Sequence, residues 1–356
     1  MAEDTAFANP SFNKVNPPKY SFDLPRQYNI RPSCIKKFNP RNPSIIFTNG
    51  PTGSGKSGLL VKTIELMYYT KNIEPLNFQS FLIDDYVENS DAYKSKVKDI
   101  ITNFDCNNPS STTCNLENPS PELLQAFSKA YFKVRRDGPC YPEPKEQKGC
   151  KDFLDDDLTK AITSKQNIII ETTGKKIPSE YLDKLISITN LADYNIIFVY
   201  SLVSFEDLKI RNKSRARNGI KSFIGSEYAN PAPRLPDISD VAFKNVTNNI
   251  ERTLITLRNI CMRCGNPNKE TCGEINSGRN FILLIYDNNE QRSKLIYDSR
   301  TSDQFLSDQE FISILSRYNL SGGKLKFKNS KKRKSNTKKR LKRKTRKIKR
   351  LNKKIK

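Results

Sequence analysis

Apolar and polar positions change period in a regular way along this 356-residue chain. "SIIFTNG" (44–50), "FQSFLIDD" (78–85), "QNIIIETTG" (166–174), "YNIIFVYSL" (194–202) and "NFILLIYDN" (280–288) are short, nearly continuous apolar runs. That is the pattern of strands buried on both faces. Helical spacing separates them: "KSGLLVKTIELMYY" repeats apolar residues at Leu59, Leu60, Ile64, Met67 and Tyr68, and "SEYLDKLISIT" and "VAFKNVTNNIERTLITLRNI" do the same. The alternation predicts a three-layer α/β fold, a mostly parallel five-stranded sheet with helices on both faces and ligands at the strands' carboxyl ends. The runs exit into polar residues ("NG", "DD", "ETTG", "SLVS", "DNN"), as one shared crevice requires.

The same reading divides the chain. Residues 1–42 are rich in Pro, Asn and aromatics and lack periodicity, an N-terminal extension. Residues 43–290 form the main domain, with a long, mostly helical insertion at about 86–165 that contains "DAYKSKVKDIITNF", a Cys- and Pro-rich loop and "PELLQAFSKAYFKVRR". A helical segment is expected over 291–320. Residues 321–356 hold 20 Lys or Arg and no acid out of a net +24, which leaves +4 on the other 320 residues. So basic and simple a tail is expected to be disordered and to bind nucleic acid or another polyanion. Its composition is similar to tails on many proteins of large DNA viruses. No run of about 18 apolar residues occurs, and the first 30 residues lack a secretion pattern. An intracellular setting, cytoplasmic or nuclear, is the expectation.

Chemistry enters at "GPTGSGKS". Gly50, Gly55, Lys56 and Ser57 satisfy G-x4-G-K-[ST], with Pro51, Thr52, Gly53 and Ser54 completing the loop between strand and helix. In such a loop backbone N–H groups face phosphate oxygens, the lysine reaches the β- and γ-phosphates, and the Ser57 hydroxyl suits Mg2+. The helix N-terminus adds positive potential. The nearest string to a guanine-reading Asn-Lys-x-Asp is "NKSR" (212–215), which lacks the aspartate, so ATP with Mg2+ is the expected pair.

Where the phosphate goes depends on the other strand exits. Asp84 and Asp85 fit a general base on the acceptor side of a small-molecule kinase, the metal-binding strand of a motor-type ATPase, or a helix N-cap. The spacing of about 27 residues from the phosphate loop favours the first. Glu171, Thr172 and Thr173 end another strand; a lone carboxylate there suits indirect Mg2+ coordination or a substrate hydroxyl. Past the fourth strand, "SFEDLKIRNKSRARNG" brings Arg211 and Arg215 to one helix face with Arg217 nearby, a candidate lid over the transferred phosphoryl. The other reading is an exposed basic helix. Arg234 is a further candidate for that cluster.

In this order, the loop at 50–57, "LIDD" at 82–85, "IIIETTG" at 168–174 and the arginines at 211–217 resemble the zeta-toxin-like P-loop kinases. The resemblance spans about 43–290. It implies a parallel-sheet ATP-binding core that phosphorylates hydroxyls, in the toxin members that of UDP-N-acetylglucosamine. Lys56 and Ser57 would then bind ATP–Mg2+, and Asp84 or Asp85 would stand at the catalytic aspartate. Glu171 and Thr173 would lie on the substrate strand, with Arg211 and Arg215 in the phosphate-binding lid. The family often has Asp-x-Asp where this chain has Asp84-Asp85-Tyr86, and the insertion here is longer. Both departures fall where acceptor identity is set. The expected activity is therefore transfer to a nucleotide-sugar or other small hydroxyl-bearing acceptor. A polynucleotide or nucleoside kinase, and a DNA-associated packaging protein that only binds or slowly hydrolyses ATP, are the rivals.

The chain has no histidine, which excludes Ser-His and Cys-His catalytic pairs and His-containing metal sites. Of its eight cysteines, Cys261, Cys264 and Cys272 form C-x2-C-x7-C. Reduced thiols at a helix end or a Zn2+ site both fit. Zinc needs a fourth ligand from Cys34, Cys106, Cys114, Cys140 or Cys150. The last four could pair around one helix, but a reducing intracellular setting argues for free thiols.

Overall fold

The computed structural model describes residues 38, 39, 41–68, 78–108, 111–116, 118–140, 148–189, 193–236, 239–258, 281–289, 293–300 and 306–318. All fall in the first of two units, 1–320 and 321–356. Most of the N-terminal extension, Cys261, Cys264, Cys272 and the basic tail lie outside the described residues.

Strands β1 (Ser44–Asn49), β2 (Phe78–Phe81), β3 (Asn167–Thr172), β4 (Asn195–Leu202), β5 (Phe281–Asp287) and β6 (Lys294–Asp298) form one mixed sheet in the order β2-β3-β1-β4-β5-β6. The first five are parallel and β6 runs antiparallel to β5. The sheet thus has six strands where the apolar runs predict five. "KLIYD" is five residues long, only half-buried, and hairpins onto the edge, so it carries neither a buried run nor a clean alternation. Among the described residues of 291–320, β6 is a strand and α9 (Asp308–Ser316) is the helix.

Alternation along the strands builds the layers. Ile45 and Phe47 of β1, Ile168 and Ile170 of β3, and Ile196 and Phe198 of β4 enter one core with α5 (Cys150–Thr163), α6 (Ser179–Ile188), α8 (Asp240–Leu257) and α9. Ile46, Ile169 and Ile197 face the other way, onto α1 (Lys56–Tyr68). A third cluster belongs to the insertion. There α2 (Ile83–Asn89), α3 (Asp91–Asn103), α4 (Pro121–Phe132) and a π-turn (Lys133–Asp137) pack with Ala216, Ile220 and Phe223 of α7 (Phe205–Gly225). Serines that accept backbone N–H groups start α3, α4, α7, α8 and α9, satisfying donors that each first turn leaves open. No described helix is long and apolar enough to cross a membrane.

Strand register brings the polar exits together. Thr48 stands beside Glu171, Asn49 beside both Thr172 and Tyr200, and Leu202 beside Asp287. The loop 50–55 therefore leaves the middle of the sheet, flanked by the ends of β3, β4 and β5.

Candidate phosphate-loop active site

The loop from Gly50 to Gly55 joins β1 to α1 and is braced from behind by side chains of three other elements. Ser201 Oγ of β4 and Asn288 Nδ2 after β5 both donate to the Ser54 carbonyl, each at 2.6 Å, and Asn212 Nδ2 of α7 donates to the Thr52 carbonyl at 2.8 Å. Asn212 and Asn288 are buried. Gly55 has φ +77°, and a Cβ there would stand 2.5 Å from Asn288 Nδ2, so both the backbone and the brace demand glycine. Ser201, Asn212 and Asn288 were not singled out from the sequence. The polar exits "SLVS" and "DNN" were the available signal for two of them.

Lys56 is only 7% exposed. Its ammonium donates to the Gly50 and Pro51 carbonyls at 3.1 and 3.0 Å and lies 3.1 Å from Glu171 Oε1. A lysine folded into its own loop and held by a carboxylate sits where an anion would compete for it. Ser57 is exposed on the first turn of α1. Thr172 spends its hydroxyl on Asn49 Oδ1 (2.5 Å) and accepts from Gly174 N (3.1 Å), which makes it a brace between β1 and the loop after β3. Thr173 beside it is exposed.

Asp84 and Asp85 lie in the first turn of α2, but neither caps it: the N-cap position is Leu82 and no side-chain cap bond forms. Their surroundings differ. Asp84 accepts from Tyr131 Oη at 2.5 Å on one oxygen and pairs with Arg234 Nη2 at 2.6 Å on the other. Among the described residues no hydrogen bond or ion pair engages the Asp85 carboxylate. Asp85 is exposed, yet partial desolvation, then the charges of Glu171 and Asp84, push its pKa up against the pull of Arg215 and Arg234.

The arginines divide as well. Arg211 Nη2 donates to the Asn288 carbonyl at 2.7 Å and more weakly to that of Asn289 at 3.3 Å, fastening α7 to the exit of β5. Arg215, one turn on, is more than half exposed and reaches Glu88 Oε1 at 3.5 Å. Arg217 is exposed on a different side of α7 from that pair. Arg234 is the most enclosed. It bonds Asp84 and, through Nε at 2.7 Å, Glu88, and its guanidinium lies 5.2 Å from the centre of the Tyr131 ring. Burial opposes its charge, but Asp84 and Glu88 outweigh burial and hold it above the ordinary arginine range. Burial likewise drives Glu88 up, with Arg234 and Arg215 opposing. Glu88 was missed, although its i,i+4 spacing from Asp84 puts both carboxylates on one face of α2.

Cys106 is bonded to Cys114 and Cys140 to Cys150. This corrects the expectation of free thiols in the insertion and removes all four as a fourth zinc ligand. Among the described residues no cluster of three acidic or cysteine side chains is placed to hold a metal. For Mg2+ beside a bound nucleotide, the side chains at hand are Ser57 and Glu171, both oxygen donors as that ion prefers.

Fold and loop together define an α/β protein of the P-loop type. No protein-family model matches the chain, and no curated protein matches it. Among solved structures, the chain is similar to one reported with the PezAT chromosomal toxin–antitoxin system of Streptococcus pneumoniae, at 13% identity and a TM-score of 0.38 over 81% of this chain and 91% of that one. It is also similar to a Chloroflexus aurantiacus protein provisionally named a kinase, at 14% identity and a TM-score of 0.26 over 56% and 80%.

Proposed function

We propose that this chain is an ATP-dependent kinase of the zeta-toxin-like type, which transfers the γ-phosphoryl group of ATP to a hydroxyl of a nucleotide-sugar or other small acceptor. The observation that carries the reading is the contrast between adjacent aspartates: Asp84 is bound at both oxygens, whereas Asp85, raised in pKa, is left open within the influence of the Glu171 charge. A hydrolase needs only water at that point. An unpaired carboxylate on the acceptor side, with no histidine in the chain, suits proton removal from a hydroxyl.

In this reading the loop amides and Lys56 hold the phosphates, and incoming anion displaces Lys56 from Glu171. Asp85 takes the acceptor's hydroxyl proton as the oxygen attacks the γ-phosphorus. The bond to the β-γ bridging oxygen breaks, and ADP carries away that electron pair. Lys56 and Arg215 neutralise charge on the transferring group. Ser57 and Glu171 would hold Mg2+, which would offset phosphate charge. Arg211 keeps the helix that carries Arg215 against the loop.

A second reading, a polynucleotide kinase, draws support from the 20 basic residues of 321–356, which would deliver a nucleic-acid acceptor. Incubation with [γ-32P]ATP and a panel of UDP-N-acetylglucosamine, nucleosides and 5′-hydroxyl oligonucleotides separates the two by which compound is labelled. Vigorous acceptor-free hydrolysis that persists in the Asp84→Asn, Asp85→Asn double variant would sink both.

A further inference from the structure

We infer that Tyr131, contributed by the helical insertion, is a positioning residue for the proposed transfer: with Arg234 it occupies both oxygens of Asp84 and so leaves Asp85 alone to meet the acceptor. The inference rests on the kinase reading above.

The contacts form a closed circuit across three chain segments. Tyr131 on α4 donates to Asp84 Oδ1 at 2.5 Å, Arg234 from the link after α7 takes Oδ2 at 2.6 Å, and the Arg234 guanidinium lies over the Tyr131 ring. The ring is held edge-on by Tyr93 (centroids 6.1 Å apart), whose hydroxyl donates to the Pro233 carbonyl at 3.1 Å, next to Arg234 in the chain. Arg234 is finally fixed through Glu88, one turn beyond Asp84 on α2. Tyr131 and Tyr93 are both buried, so the circuit is sheltered from water, where charged hydrogen bonds are strongest.

Two adjacent carboxylates at the start of one helix could share a proton or exchange roles. The circuit prevents that by giving Asp84 two donors and Asp85 none. Arg135 of the π-turn stands 6.0 Å from the centre of the same ring. The groups facing Asp84 are thus Tyr131, Arg234 and Asp85, with Glu88, Tyr93 and Arg135 behind them. Those facing Asp85 are Glu171, Asp84, Arg215 and Arg234. Nothing in the short "LIDD" string points to a tyrosine 47 residues away. The insertion, on this account, is part of the catalytic apparatus and not an ornament of the surface.

The test is Tyr131→Phe, which keeps the ring beneath Arg234 and removes only the donor. With wild-type protein and whichever compound of the panel above it labels, kcat should fall roughly ten- to a hundredfold, the range for losing a hydrogen bond to a charged group. KM for ATP should stay within about twofold, and the acid limb of the kcat profile should move to lower pH, because any loss of the Asp84 charge removes one of the influences that raise Asp85. An unchanged kcat and acid limb would overturn the inference. So would a fall in kcat that merely tracks a lower melting temperature with the acid limb in place. Should Tyr131→Phe not fold, Arg234→Lys, which keeps one donor and loses the fork, must move the same limb for the circuit to stand. A wild type that binds ATP yet labels nothing in the panel or in a cell extract overturns the kinase reading itself, a different result from an indifferent Tyr131→Phe.

Discussion

Lys56 and Glu171 meet at 3.1 Å, although they belong to the phosphate loop and to the end of the neighbouring strand, 115 positions apart. The pairing of β1 with β3, Thr48 beside Glu171, is what brings them together. The carboxylate thereby neutralises the lysine that, in the proposed kinase, an incoming phosphate would need.

Lys56→Ala should therefore weaken nucleotide binding by about 1.5–3 kcal/mol, the scale of a charged hydrogen bond. Glu171→Gln should bind Mg2+-free ATP at least as tightly as wild type, since Lys56 is no longer held, while losing Mg2+-dependent turnover. Fluorescence titration with a labelled ATP analogue, with and without Mg2+, checks both. Weaker Mg2+-free binding in Glu171→Gln would remove the competition argued here.

Asp85 should set the acid limb of the rate profile. Its pKa is raised by desolvation first and then by Glu171 and Asp84, so the ionised base is lost as pH falls through a value above the ordinary aspartate range of about 3.9. Asp85→Asn should cost about 10²–10⁴ in kcat.

The same shift predicts a stability effect of opposite sign. The folded chain holds the Asp85 proton more tightly than the unfolded chain, so near neutral pH the ionised group works against folding. Asp85→Asn should melt slightly higher than wild type at pH 7, and the difference should vanish below the ordinary carboxylate range. Exposure to water keeps the gain small. Calorimetry at pH 7 and pH 3 reads it, and a lower melting temperature at pH 7 would contradict the assignment.

Gly174 closes the turn after β3 with φ +70°, and a Cβ there would stand 2.7 Å from Tyr200 Cε1 and 2.9 Å from Asn49 Cβ. Gly174→Ala should cost about 1–3 kcal/mol of stability, from the left-handed backbone together with the clash. Chemical denaturation measures it.

The disulfides close short loops, with separations of 8 and 10 residues, worth about 2.5 kcal/mol each in the chain-entropy account. The sulfurs of Cys140 and Cys150 also lie 3.6 and 3.7 Å from the Tyr86 carbonyl oxygen, immediately after the aspartates. The Cys140→Ser, Cys150→Ser pair should thus lower both stability and turnover, whereas Cys106→Ser, Cys114→Ser should lower stability alone. Thiol counting on denatured, unreduced protein provides the check, and four reactive thiols from these positions would exclude the bonds.

Hydrophobic periodicity made the five parallel strands legible, because a strand buried on both faces cannot help being apolar, and the spacing of Gly50, Gly55, Lys56 and Ser57 marked the glycine-rich loop. It did not reveal β6, whose half-buried residues at the sheet edge carry no such constraint. The site was legible in its local parts alone. Lys56, Asp84, Asp85 and Glu171 stand at strand exits that a reader can mark. Asn212, Asn288, Glu88 and Tyr131 act through partners tens to hundreds of residues away, and no spacing in the sequence encodes those meetings.

The sequence by itself determined the local chemistry: a strand, a glycine-rich turn and a helix fix where phosphate would sit, because that geometry is set within a dozen residues. Only the tertiary structure decided which of two neighbouring aspartates is occupied and which is open. That choice depends on a tyrosine from the insertion and an arginine beyond α7, brought to Asp84 by the packing of α2, α4 and α7 around a core of their own.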